Sequence, residues 1–227
     1  MNEIEKVKKV KGALIDMDGV LYDSMPRHAD AWRRMTQEIG LDVPRDEFFL
    51  YEGMTGAATI DLLFRRAYGH GVDPEKAKEL YAVKTRYFSQ GGPAPLMPGA
   101  ERMLKALEKL GMRRVLVTGS GQASLLDKID RDYPDAFGPG CKVTAHDVKH
   151  GKPDPEPYLT GAKKAGVPPS ECIVIENAPL GVRAGKGAGC FVIAVMTGPI
   201  PREEFEREGA DMIFPSMPAL ADWLEKI

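Results

Sequence analysis

Apolar and polar positions fall into two registers along the chain. Gly12-Ala13-Leu14-Ile15, Val115-Leu116-Val117, Cys172-Ile173-Val174-Ile175 and Phe191-Val192-Ile193-Ala194-Val195 are short, nearly unbroken apolar runs. Runs of that kind are the pattern of parallel strands covered on both faces. Shorter strands are expected over 141–144 and 211–214. Between them the period becomes helical. Ile60, Leu63, Phe64 and Ala67 mark one face of a helix over 57–68, and Trp32, Met35 and Ile39 mark another over 25–39, ended by Gly40. Asp73-Pro74-Glu75 reads as a cap residue followed by proline at the first helical position, opening a helix to about residue 89. Further helices are expected over 100–110, 122–131, 154–165, 179–187 and 217–225.

The order of these elements divides the chain. Residues 24–90 hold three helices and no good strand, whereas beyond Gln90-Gly91-Gly92-Pro93 strands alternate with helices of about ten residues. The expected fold is α/β, a Rossmann-like parallel sheet core with helices on both faces, plus an inserted all-helical cap. The expected domains are 1–23 and 92–227 for the core and 24–91 for the cap.

Composition narrows the function. With 227 residues and a formal net charge of -2, the chain has no basic excess to suggest nucleic acid or an anionic membrane. The N-terminus MNEIEKVKKVKG is charged throughout, with no apolar signal segment, and no apolar run nears 18 residues. Cys141, Cys172 and Cys190 form no C-x-x-C pair, and the last two read as small buried hydrophobes in a reducing compartment. A cytoplasmic monomer is expected.

Candidate chemistry gathers at strand ends. Asp16 closes the first apolar run, and Asp18 follows in the turn with Gly19. Ligands of open α/β sheets bind at that edge, and two acids so close repel each other unless a cation holds them. Thr118 and Ser120 follow the second run, Lys152 a short strand, and Glu176-Asn177 the fourth run. Acids for a cation, hydroxyls for phosphoryl oxygens and a lysine for their charge form an inventory for phosphoryl transfer.

Four ordered motifs carry a resemblance. Asp16-Met17-Asp18-Gly19-Val20-Leu21-Tyr22-Asp23-Ser24, the strand end at Thr118, Gly151-Lys152-Pro153-Asp154-Pro155, and the segment from Glu176 to Gly189 are similar to those of haloacid dehalogenase-like hydrolases, in the β-phosphoglucomutase-like branch with a helical cap. The resemblance implies that Asp16 is the nucleophile, forming an aspartyl-phosphate, and a ligand of Mg²⁺. It makes Asp18 the acid/base group, with its carbonyl on the metal. Thr118 and Lys152 would hold the phosphoryl group, backed by Gly119 and Ser120, and Glu176 and Asn177 would anchor the metal. Asn177 departs from the usual aspartate, leaving the site one charge short.

The cap should decide the substrate. His28 falls where the mutase has a histidine beside its acid/base aspartate, or is a helix-surface histidine. Gly56 stands where the mutase has an arginine for a second phosphate, so a bisphosphate loses its bidentate clamp. Glu52, before Gly53, meets metal or metal-bound water, or else faces solvent. Lys84 and Arg86 are candidates for the distal end of the substrate, or are surface charges. The expected activity is Mg²⁺-dependent phosphohydrolysis of a small phosphorylated molecule, inorganic pyrophosphate or a sugar phosphate. The alternatives are β-phosphoglucomutase action and phosphate binding without turnover.

If Asp18 handles the proton, Asp18→Asn should slow turnover by about 10² to 10⁴. The loss should shrink as the leaving group improves across a series of aryl phosphates. An equal loss across the series would leave Asp18 only a loop-ordering role.

Overall fold

The computed structural model describes residues 3–120 and 123–227, with side chains left aside over 123–126. The helices are α1 (Glu3–Lys9), α2 (Met25–Glu38), α3 (Gly56–Tyr68), α4 (Pro74–Gln90), α5 (Ala100–Lys109), α6 (Ala123–Asp132), α7 (Glu156–Ala165), α8 (Pro179–Gly187), α9 (Arg202–Arg207) and α10 (Met217–Leu224). The strands are β1 (Gly12–Ile15), β2 (Arg113–Val117), β3 (Lys142–Val143), β4 (Cys172–Glu176), β5 (Phe191–Val195) and β6 (Met212–Phe214). All pair in parallel, in the order β3-β2-β1-β4-β5-β6.

Alternation inside the apolar runs builds the two layers. Ala13, Ile15, Leu116, Ile173 and Ile175 point to one face and pack with Val7, Leu104, Leu107, Leu220 and Leu224 from α1, α5 and α10. Leu14, Val115, Val117 and Val174 point to the other, against Tyr158, Ala162 and Ala165 of α7 and Val182 of α8. The cap lies between β1 and α5. Its helix α2 packs on α4 and on a 3-10 segment, Arg45–Tyr51, and α3 packs on α4.

Local signals explain most boundaries. Asp73 caps α4 by accepting from the amides of Glu75 and Lys76, and Thr55 caps α3 from Ala58. Ser24 precedes α2 without capping it, because its hydroxyl donates to Asp18 Oδ1 at 2.5 Å instead. Two helices were not expected. Both α1 and α9 are under two turns, too short to show a period, and each buries a single residue, Val7 or Phe205. Arg45–Tyr51, polar in its first turn and aromatic after it, forms the 3-10 helix that buries Phe48 and Phe49. Gln122, where the helix over 122–131 was expected to open, lies outside the described residues, as does Gly121.

Helix α8 approaches the end of β4 so closely that a Cβ at Gly181 would overlap the Glu176 carboxyl. Gly181→Ala should therefore destabilise the protein by about 1–3 kcal/mol, the usual cost of overpacking, read from urea unfolding. An unchanged midpoint would mean that α8 yields freely and does not fix Glu176.

Candidate active site

The ends of β1, β2 and β4, adjacent in the sheet, bring Asp16, Thr118 and Glu176 to one edge. Lys152, from the loop between β3 and α7, crosses to them and is buried. Its ammonium donates to Asp16 Oδ1, to Glu176 Oε1 at 2.6 Å and to the Val117 carbonyl at 3.3 Å. A lysine has three donors, and all three are engaged. Glu176 is bonded on both oxygens: Oε1 also accepts from the Tyr158 hydroxyl at 2.5 Å, and Oε2 accepts from the amides of Asn177 and Ala178. Expected as a metal anchor, Glu176 thus stands in this structure behind Lys152 with its acceptors occupied.

The cap supplies the facing wall. Glu52 is buried, and its Oε2 accepts from Asn177 Nδ2 at 2.9 Å. His28 Nε2 lies 3.2 Å from Asp18 Oδ1, and Lys84 Nζ lies 2.5 Å from His28 Nδ1. The structure therefore brings Glu52, His28 and Lys84 to the core acids, while Arg86 stays exposed on α4. Gly119 and Ser120 line the same cavity, and a Cβ at Gly119 would come 3.2 Å from the Gly53 carbonyl of the cap loop. The cavity is about 80 Å³, closed on the cap side by Met25, Trp32, Phe48, Tyr51 and Tyr81. The Tyr81 ring fills the space beside Gly56 that a side chain there would need. Thr118 and Lys152 face a smaller adjoining space with Gly53, Thr55 and Gly151.

Charge in this cavity is unbalanced. Asp16, Asp18, Glu52 and Glu176 face Lys152 and Lys84. Burial pushes Asp16 up to about 8, with Lys152 opposing and Glu176 and Asp18 adding to the rise. Burial, then Asp16 and Glu176, raise Glu52 well above the usual carboxylate range. Burial also works to raise Asp18, but His28 and Ser24 outweigh it and hold its carboxyl below the ordinary value. Burial draws Lys84 down to about 7 and lowers His28, with Lys84 adding to the latter. Among the described residues, the buried side-chain oxygens lacking a hydrogen-bond partner are Glu52 Oε1 and Asn177 Oδ1. Two orphan oxygens amid excess negative charge are what a hard cation with oxygen ligands would satisfy. The residues present fit such an ion.

A separate cluster, His150, Asp154 and Glu156, brings its ligand atoms within 4.8 Å of one another on the surface. Its Glu156 carboxylate already accepts from the amides of Lys149 and His150. No described helix is long and apolar enough to cross a membrane.

Comparison with known proteins agrees with this architecture. The haloacid dehalogenase-like hydrolase family model matches residues 10–189, and the chain belongs to that family. Its core and inserted helical cap place it in the β-phosphoglucomutase-like branch of phosphate-handling enzymes, with small phosphorylated molecules as substrates. Hexitol phosphatase A of Escherichia coli K12 is 34% identical over 190 residues, 82% of this chain and 83% of that protein. Glycerol-1-phosphate phosphohydrolase 2 of Saccharomyces cerevisiae is 32% identical over 216 residues, 90% of this chain and 82% of that one. A solved structure, "Putative beta-phosphoglucomutase from Bacteroides vulgatus", superposes with a TM-score of 0.91 at 45% identity, covering 96% of this chain and 90% of that one.

Tyr158 was not singled out by its sequence, since nothing in the pattern separates it from a core tyrosine. Lys84 did leave a signal. It lies in the stripe Ala77, Leu80, Lys84, Phe88, whose other members are buried.

Because folded Glu52 holds its proton more tightly than unfolded Glu52, its share of stability is complete near pH 4.5 and is lost as pH rises. With chelator present, Glu52→Gln should therefore melt higher than wild type at about pH 8. The gap should close by about pH 4.5. A constant difference across that range would place Glu52 in solvent.

Proposed function

We propose that this protein is a Mg²⁺-dependent phosphohydrolase working through an aspartyl-phosphate at Asp16, with inorganic pyrophosphate as its preferred substrate. The observation that carries the reading is the cap-borne Glu52, buried against Asn177, with one oxygen of each unpartnered. A carboxylate there repels a bare second phosphate group, yet complements a small substrate accompanied by a cation. Asp16, the Asp18 carbonyl, Glu52 and Asn177 would hold the ion. Bound there, Mg²⁺ would neutralise the oxygens around phosphorus.

The chain's own residues then act in sequence. Asp16 attacks phosphorus, and the bond to the leaving oxygen breaks. Lys152 and Thr118 hold the phosphoryl oxygens, with Lys152 exchanging one of its three protein acceptors for them. Water next attacks the aspartyl-phosphate while Asp18 takes its proton, and Asp16 is regenerated as phosphate leaves. His28 and Ser24 hold Asp18 in its base form. That suits a leaving group which departs with little protonation, as phosphate does and a sugar alkoxide does not. The cavity is also small. Its volume of about 80 Å³ is several times what a single water needs. His28 and Lys84 line it beside Asp18. The free thiols of Cys172 and Cys190 fit a reducing, cytoplasmic setting.

A small polyol or sugar phosphate is the second reading. The aromatic wall of Trp32, Phe48, Tyr51 and Tyr81 favours it, as do the relatives named for hexitol and glycerol 1-phosphates. Mutase action is disfavoured, because Tyr81 fills the place beside Gly56 where a second-phosphate ligand would stand.

Glu52→Ala should lower kcat/KM for pyrophosphate at least about tenfold more than for glucose 6-phosphate at saturating Mg²⁺, a differential of about 1.4 kcal/mol. Equal losses would move the substrate assignment to the polyol phosphates.

A further inference from the structure

The buried phenol of Tyr158, on α7, lies beneath the catalytic cluster and has no part in the chemistry above. Its side chain is fully buried. The hydroxyl donates to Glu176 Oε1 at 2.5 Å, the same oxygen that accepts from Lys152 at 2.6 Å. The ring also passes under the lysine, with Lys152 Nζ 5.1 Å from its centroid. The other Glu176 oxygen is fixed by the amides of Asn177 and Ala178.

These bonds differ in what they can constrain. Two amides on Oε2 anchor one end of the carboxylate, but they leave it free to swing Oε1 about that end. The Tyr158 hydroxyl removes that freedom, because α7 is packed against β2 and β1 and its position is set by the core. Burial and the adjacent carboxylate hold the phenol protonated, so it remains a donor. Lys152 meets Asp16, Glu176 and the Val117 carbonyl, and when a phosphoryl group arrives one of these must be released. If Oε1 stays fixed, Glu176 is the retained tether, and the ammonium pivots towards the incoming oxygens.

We propose that Tyr158 is a positioning residue for Lys152: its hydroxyl pins the Glu176 oxygen that tethers the lysine beside Asp16. The inference rests on the assignment of Lys152 to the phosphoryl group. Tyr158 touches neither substrate nor the reacting atoms and acts only through Glu176. A tyrosine that merely filled the core would contribute independently of Glu176.

A double-mutant cycle separates the two roles. Wild type, Tyr158→Phe, Glu176→Gln and the double variant are compared for orthovanadate affinity by calorimetry in excess Mg²⁺, for kcat and KM, and for urea unfolding without metal. Tyr158→Phe alone should weaken vanadate binding and lower kcat about tenfold, the scale of one hydrogen bond to a charged group, with KM changed less than about twofold. In the Glu176→Gln background the same substitution should change vanadate affinity less than about twofold, and the unfolding free energies should likewise be non-additive. Equal factors in both backgrounds, or wild-type vanadate affinity in Tyr158→Phe, would overturn the positioning role while turnover by the wild type left the functional reading standing. A wild type that neither binds vanadate nor releases phosphate would overturn both.

Discussion

One buried ammonium sets the geometry of this protein. Lys152 comes from beyond the edge strand of the sheet, yet it ends between Asp16 and Glu176 on the two central strands, β1 and β4. A lysine in that position is tolerable only with every donor engaged, because an unpaired charge there would cost about 3–5 kcal/mol. Its three acceptors come from three strands in register, so the strand ends must align. Gly181 leaves room for the Glu176 carboxyl, and α7 brings Tyr158 to the shared oxygen. Fold and site are thus one constraint seen at two scales.

The remaining charge is divided between core and cap. Asn177 removes one unit from the core end of β4, and Glu52 returns one from the cap loop, hydrogen-bonded to that same asparagine. A site completed by both halves of the molecule is whole only when the cap is down. In the structure the cap loop is down, with the Gly53 carbonyl close to Gly119 and Thr55 close to Gly151. Cap residues Ser24 and His28 also meet Asp18, so the cap's position is coupled to the buried acids through several hydrogen bonds, and a substrate must fit beneath it.

The sequence was most legible where burial is total. Four strands buried on both faces show as apolar runs, acids and a hydroxyl stand at the ends of β1, β2 and β4, and the lysine follows on the loop after the short β3. It was less legible where a charged residue is buried by tertiary contacts alone. Glu52 stands out by its place before Gly53, but its choice between the site and solvent is settled only by the cap lying against the core, where it is buried on Asn177. Lys84 could be suspected from the apolar stripe it interrupts, but its contact with His28 joins two helices 56 residues apart in the chain. Tyr158 was hidden for the opposite reason: a tyrosine inside a helix needs no explanation until its hydroxyl is seen on Glu176. The short helices α1 and α9 left no period to read.

Phosphorylation of Asp16 is the step on which the proposed reaction depends, and reductive trapping tests it directly. Protein quenched with borohydride during steady-state turnover of its best substrate, then peptide-mapped by mass spectrometry, should carry homoserine at position 16. That product arises when an aspartyl-phosphate is reduced, and it should be absent when substrate is withheld. Turnover at full rate with unmodified aspartate at position 16, or with reduction at another carboxylate, would contradict the account.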